Sequence, residues 1–417
     1  MLDLAGNGPS LVVAPTSVCG NWEAELNRFA PAIKTHRLAE SDDRGVTLDA
    51  MGPYDVLIAS YGLLGREEER LSAITWSVAV LDEAQAIKNP DTLRAKASQK
   101  LNAGFRLALS GTPVENDLDE LWSLFRFVVP GLLGSRDGFG RRFGTPIERD
   151  NDITAKTALK TLVRPFMLRR TKTAVLSELP ARTEQTWLVE MGAEERAFYE
   201  VLRQRAMQRL DSDTSGRTRI HILAEITKLR QACCNPVLAV PESGVPSAKL
   251  EALLELVDEL RANNHRALVF SQFVGHLGLV RAALDARGIS YQYLDGSTPA
   301  RERERRVADF QAGFGELFLI SLKAGGSGLN LTAADYVLHL DPWWNPAVED
   351  QASDRAHRIG QTKPVTIYRL IVKNSIEEGI VALHRRKRDL ADALLEGADA
   401  SARLSEDDLL NLIRGGG

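Results

Sequence analysis

Two adjacent carboxylates, Asp82 and Glu83, stand at the end of the apolar run Val78-Ala79-Val80-Leu81 and are followed by Ala84 and Gln85. Such a run, halted by acidic residues, predicts a buried parallel strand whose carboxyl end opens into a crevice, where open α/β sheets take ligands. Burying both carboxylates without compensation would be costly. Asp82 is therefore suited to face a divalent cation, and Glu83 to polarise a water for attack on a phosphate. The same residues also fit an ordinary strand end leading into a helix with acidic residues in its first turn. The rest of the chain decides between the two.

The elements that must position this pair follow from the apolar pattern. Leu11-Val12-Val13-Ala14 reads as a strand ended by Pro15-Thr16-Ser17, with a helix over residues 18–29 that carries Trp22 in its first turns. Residues 56–60 form a second strand, and residues 105–110 a further one that ends in Gly111-Thr112-Pro113. Strands alternating with helices predict a parallel, doubly wound sheet, and their small or hydroxylated ends leave a rim that phosphates can approach. From about residue 131 to 246 the strand pattern gives way to helical stretches. Alternation then resumes with strands over residues 267–270, 291–294, 317–321, 336–340 and 365–371, preceded by an amphipathic helix over residues 249–263. The expected organisation is a first α/β domain over 1–130, a helical connector over 131–245, a second α/β domain over 246–375 and a helical tail over 376–417.

Composition narrows the function classes. A chain of 417 residues exceeds what one core usually supports, and 44% hydrophobic with 26% charged residues is globular. No apolar run approaches the roughly 20 residues of a membrane span, and no signal segment opens the chain, so an intracellular protein is expected. Cys19, Cys233 and Cys234 offer neither an even disulfide framework nor a CxxC pair. The formal net charge of −4 excludes a uniformly basic coat, so any nucleic-acid contact must come from local basic patches.

Four blocks occur in a telling order: Asp82-Glu83-Ala84-Gln85 with Ala86-Ile87-Lys88-Asn89; Leu109-Ser110-Gly111-Thr112-Pro113; Asp341-Pro342-Trp343-Trp344-Asn345-Pro346; and Gln351-Ala352-Ser353-Asp354-Arg355-Ala356-His357-Arg358-Ile359-Gly360-Gln361. Together they resemble the Swi/Snf-type ATPases of helicase superfamily 2, from Leu11 to about Gly379. The resemblance implies two RecA-like lobes that clamp ATP and move along duplex DNA without separating its strands. It implies that Asp82 holds Mg²⁺, Glu83 orients the attacking water, and Gln85 with Ser110, Gly111 and Thr112 couples the γ-phosphate to DNA. Arg355 and Arg358, three apart and so on one face of a helix, would be arginine fingers, while Gly328, Asn330 and Gln351 join Gln85 in binding nucleotide. Thr16, Trp22, Lys323, Gly325, Gly326 and Trp344 would face double-stranded DNA, mainly its phosphate backbone. Trp22 and Trp344 equally suit core packing. The alternating Arg301-Glu302-Arg303-Glu304-Arg305-Arg306 suits a solvated helix, and Arg169-Arg170-Thr171-Lys172 suits DNA better. The run His384 to Arg388 reads as an exposed basic helix packed back on the lobes.

One departure is large. The family grips ATP phosphates through a Gly-rich loop ending in Gly-Lys-Ser/Thr, upstream of the strand at Leu11, and no Gly-Lys dipeptide occurs in the 417 residues. The first lobe is therefore expected to be incomplete, through a misassigned start, a truncated gene or a segment of a larger protein, and the chain alone is expected not to hydrolyse ATP. Two readings stay open: the catalytic region of a DNA-dependent ATPase, or a non-catalytic DNA-binding relic. A strand-separating helicase is disfavoured, because the second-lobe blocks resemble the translocating branch.

Overall fold

The computed structural model describes residues 6–16, 18–110, 118–150, 152–168, 179–212, 219–322, 324, 329–383 and 406–414. They fall into two compact units, divided between Arg169 and Arg170. Gly111, Thr112, Lys323, Gly325, Gly326, Gly328 and the basic runs at 169–172 and 384–388 lie outside the described residues.

The first unit is built on a parallel sheet of β1 (Ser10–Ala14), β2 (Lys34–Arg37), β3 (Asp55–Ser60), β4 (Thr75–Leu81) and β5 (Asn102–Ala108), in the order β2-β3-β1-β4-β5. Both faces are apolar, as a doubly wound sheet requires. Leu11, Leu57, Ala79 and Leu81 pack on one side, and Val12, Ile58, Val78 and Val80 on the other. Burying each such leucine or valine stabilises the unit by about 2 kcal/mol relative to water. β2 (Lys-Thr-His-Arg) is polar and sits at the edge, held by β3 register and by His36 Nε2 against Asp55 Oδ1 at 3.1 Å. The apolar pattern therefore gave no sign of it. β5 forms the other edge, and Phe105 and Leu107 on it, with Leu109 just past its end, are substantially exposed.

The second unit holds β6 (Arg182–Val189), β7 (Ala267–Ser271), β8 (Tyr291–Leu294), β9 (Leu317–Ser321), β10 (Tyr336–His339) and β11 (Val365–Val372). All pair in parallel in the order β6-β11-β10-β7-β9-β8. The five strands expected beyond residue 246 are present. β6 is an addition: it lies inside the stretch read as a helical connector, and it pairs with β11 along its whole length. Its Arg-Thr-Glu-Gln-Thr start faces solvent, so the apolar period that marks a strand is missing. Helices Ala193–Ser212 and Arg219–Cys234 pack on the second unit with Glu406–Arg414, around Tyr199, Ile222, Ile226 and Ile413. No helix among the described residues is long and apolar enough to cross a membrane.

Candidate functional site

In the first unit the β4 ladder runs on past its last residue. Asp82 N donates to Val13 O, and Leu109 N to Leu81 O, each at 2.8 Å, so Asp82 is carried to the sheet's carboxyl rim on rigid backbone. The chain does not continue as the helix with acidic first turn. Glu83 takes the left-handed conformation at φ 49°, ψ 51°, and a single 3₁₀ turn, Ala84–Ile87, follows. For a residue other than glycine this backbone costs on the order of 1 kcal/mol. The strain turns the Glu83 carboxylate back toward Gln85, whose Nε2 donates to Glu83 Oε2 at 2.6 Å. Ser110 Oγ, just past β5, donates to Gln85 Oε1 at 2.8 Å. A relay Ser110–Gln85–Glu83 thus joins the ends of two neighbouring strands.

Asp82 is half-buried and well supported. Its Oδ2 accepts from the Trp22 indole at 2.8 Å, its Oδ1 from Glu83 N at 2.9 Å, and its carbonyl from Tyr61 OH at 2.8 Å. Burial, reinforced by the charges of Asp82 and Glu83, pushes the Tyr61 phenol well above its usual range, so it stays a donor. Each carboxylate oxygen has one donor and keeps a lone pair, which fits a hydrated Mg²⁺. Trp22 is thereby committed to orienting Asp82 and to packing beneath β1, while Thr16 is exposed on the loop after β1. Tyr61 carries no motif, and only the fold reveals its part.

In the second unit the arginines part company. Helix Pro346–Ser353 ends with Asp354 as its C-cap, so Arg355 and Arg358 do not share a helix face as expected. Arg355 is 5% exposed and Arg358 is exposed. The turn is fastened by Gln361, whose Nε2 donates to the carbonyls of Thr332, Ala334 and Ala356, and Gly360 supplies the φ of +99° that the bend needs. Asp350 and Asp354 are held by Arg182 of β6, each at 3.1 Å. Gln351 is half-buried and Asn330 exposed. Arg305 and Arg306 pair with Glu302 at 2.7 and 2.8 Å, as a solvated helix would have them.

A buried polar cluster lies beyond β10. Lys249 and Glu377 form a fully buried ion pair at 2.6 Å, and Lys249 Nζ also donates to Leu340 O at 2.8 Å. Asp341 Oδ1 accepts from Ser271 Oγ at 2.5 Å and from Gln272 N at 3.3 Å, and burial pushes its carboxyl above the usual range. Ligand atoms of Cys234, His276 and Asp341 come within 4.8 Å of one another. With three candidate ligands, Asp341 already bonded and the Lys249 and Arg230 cations alongside, the cluster is poorly suited to a metal, and among the described residues both His276 ring nitrogens are buried without a hydrogen-bond partner. The His276 imidazole is neutral, its pKa lowered to about 3 by burial and the Lys249 charge. Lys249, Arg230, His276 and Glu377 carry no motif, although Lys249 begins the apolar stripe Leu253-Val257-Leu260 and Arg230 continues the stripe Ile222-Ile226, places where a charge is anomalous.

Residues 4–238 match the SNF2-related domain, more than half of the chain, and residues 248–360 match the helicase conserved C-terminal domain. The chain belongs to the SNF2-related family. It is 40% identical to a putative ATP-dependent helicase/translocase of Bacillus subtilis, over 97% of this chain and 45% of that protein. It is 33% identical to an ISWI chromatin-remodeling complex ATPase of Arabidopsis thaliana, over 98% of this chain and 40% of that one. The SNF2-related chain thus spans less than half the length of these curated relatives. Among solved structures, a Sulfolobus solfataricus SWI2/SNF2 ATPase core in complex with dsDNA is 35% identical, covering 97% of this chain and 86% of that one, with a TM-score of 0.46.

Proposed function

We propose that this SNF2-related chain is the motor core of an ATP-dependent double-stranded DNA translocase. The observation that carries the reading is the Asp82–Glu83–Gln85–Ser110 constellation, a metal-ready carboxylate beside a second carboxylate tied through an amide and a hydroxyl to the next strand. Asp82, with Trp22 and Glu83 N fixing its oxygens, would hold Mg²⁺, which neutralises charge on the nucleotide phosphates. Glu83 accepts a proton from, and aims, the attacking water. Arg358, exposed and always charged, is available to a developing phosphoryl charge, and Arg355 needs the turn at 354–358 to open before it can contribute. Gln351 and Asn330 remain candidate nucleotide contacts. The Gly-Lys-Ser/Thr loop through which the family grips ATP phosphates is not among the 417 residues, and the residues present fit the metal.

Duplex DNA is the proposed track, gripped through phosphates by Thr16, Lys323, Gly325, Gly326 and the loop around Trp344. Affinity for a duplex should fall steeply with salt and vary little with sequence. Titrating the chain with duplexes of differing sequence across a salt series tests this. Absence of duplex binding, or a strong preference for one sequence, would refute it.

A further inference from the structure

The loop 341–345 joins β10 to the helix Pro346–Ser353, beyond which lie Arg355 and Arg358. Two buried cations grip that loop on either side of Asp341. Lys249 takes the carbonyl of Leu340 and is neutralised by Glu377. Arg230, 2% exposed on helix Arg219–Cys234, donates through Nη2 to the carbonyl of Pro342. Its guanidinium lies 5.1 Å from the Trp344 ring centroid and 5.7 Å from that of Phe273, a cation between two aromatic faces. Among the described residues no carboxylate hydrogen-bonds Arg230, and its charge is offset at longer range by Asp341. A buried guanidinium is costly to desolvate, so its place here calls for a role beyond filling space. What a methionine or leucine cannot do is hold a loop carbonyl and an indole plane in one fixed geometry.

The loop is in turn coupled forward. Trp343 N donates to Glu349 Oε1 at 2.7 Å, Glu349 Oε2 accepts from Arg369 Nε at 2.8 Å, and Asn345 Oδ1 caps the helix through Ala347 N at 3.0 Å. Moving Pro342 and Trp344 therefore moves the start of the helix that precedes both arginines. We infer that Arg230 is a positioning residue: through Pro342 O and Trp344 it lets helix Arg219–Cys234 set the 341–345 loop, and with it the half-buried Trp344, which packs on the helical core and is a proposed DNA contact, and the segment 354–358. This rests on the translocase reading for its functional consequence, but not for its structural one.

The test uses the 417-residue chain and two variants. Arg230→Met keeps volume and apolar packing and loses the carbonyl donor, while Arg230→Lys keeps the charge and loses the planar fork. Hydrogen exchange is read by mass spectrometry, beside duplex affinity and the thermal midpoint. Arg230→Met should speed exchange across 341–358 by on the order of tenfold or more while β7 and β9 stay protected. Duplex affinity should fall by about tenfold, roughly 1.4 kcal/mol, although Arg230 is itself buried. Arg230→Lys should recover part of both effects. Unchanged exchange at 341–358 in a folded Arg230→Met protein overturns the inference, and so does an equal rise throughout the second sheet, which marks a merely structural role. If the parent chain fails to bind duplex, the translocase reading falls, and the exchange pattern still decides the role of Arg230.

Discussion

Asp82 and Asp341 occupy matching places in the two sheets, each just beyond the carboxyl end of an interior strand, yet their surroundings differ in kind. Asp82 is half-buried, each oxygen carries one donor, and the strained Glu83 beside it opens toward Gln85 and Ser110. Asp341 is 1% exposed, bonded to Ser271 and Gln272 N, and flanked by Lys249 and Arg230. One topological position thus leaves a carboxylate available for the proposed chemistry in the first unit and builds architecture in the second. The deciding quantity is access: a carboxylate at a rim can be reached by a metal, whereas one sealed from solvent and flanked by cations cannot.

The strongest way to break this comparison is at Glu83. In a form of the protein that also carries a Gly-Lys-Ser/Thr loop, Glu83→Gln should abolish ATP turnover and leave ATP binding largely intact, and Arg358→Ala should slow turnover by about 10³-fold. Steady-state hydrolysis with and without duplex DNA measures both, and normal turnover in either variant removes that residue from the mechanism. Next comes a matched pair of substitutions. Asp341→Asn leaves the buried Arg230 poorly compensated and should destabilise the second unit by about 3 kcal/mol, while Asp82→Asn should cost about 1 kcal/mol or less. Urea unfolding followed by tryptophan fluorescence compares them, and equal losses would erase the distinction.

A smaller effect concerns the sheet edges. β5 exposes Phe105 and Leu107, whereas β6 presents Thr183, Glu184 and Gln185. Open apolar edges template association, so Leu107→Lys should lower light scattering on concentration without lowering the thermal midpoint. A solubility unchanged by this substitution would show that the β5 edge is not the sticky one. The smallest effect is one of pH. Burial raises the Glu195 carboxyl from its ordinary 4.5 to about 7, while Ala248 N donates to its Oε2 at 3.1 Å. Between those values the native state holds a proton that the unfolded chain has lost. Glu195 therefore contributes stability that is full below 4.5 and fades as pH rises through about 7. Glu195→Gln should flatten that slope in urea midpoints taken from pH 4.5 to 8, and a slope unaltered by the substitution would assign it to another group.

Much of the fold was legible because its strands are buried on both faces. Leu11 to Ala14, Val78 to Leu81 and Leu317 to Ser321 are continuous apolar runs that need no partner to be recognised. β2 and β6 were not legible, since an edge strand with one wet face and polar composition has no period to read. The carboxylate pair stands out by residue type, and Gln85 and Ser110 are singled out only through the family blocks that contain them. The pairing of Arg355 with Arg358 on one helix face could not survive contact with the fold, because three-residue spacing predicts a shared face only while the helix continues, and it stops at Ser353.

Sequence by itself determined the two parallel sheets, the family blocks and the candidate chemistry of Asp82 and Glu83, because these rest on local patterns of side-chain type. Tertiary structure alone decided which groups are available. It committed Trp22 to Asp82, turned Glu83 into the left-handed region, sank Arg355, and drew Lys249, Glu377, Arg230 and Asp341 together from four distant stretches. The reason is physical: whether a charge is costly, useful or inert depends on the dielectric and the partners around it, and those are assembled only when remote segments meet.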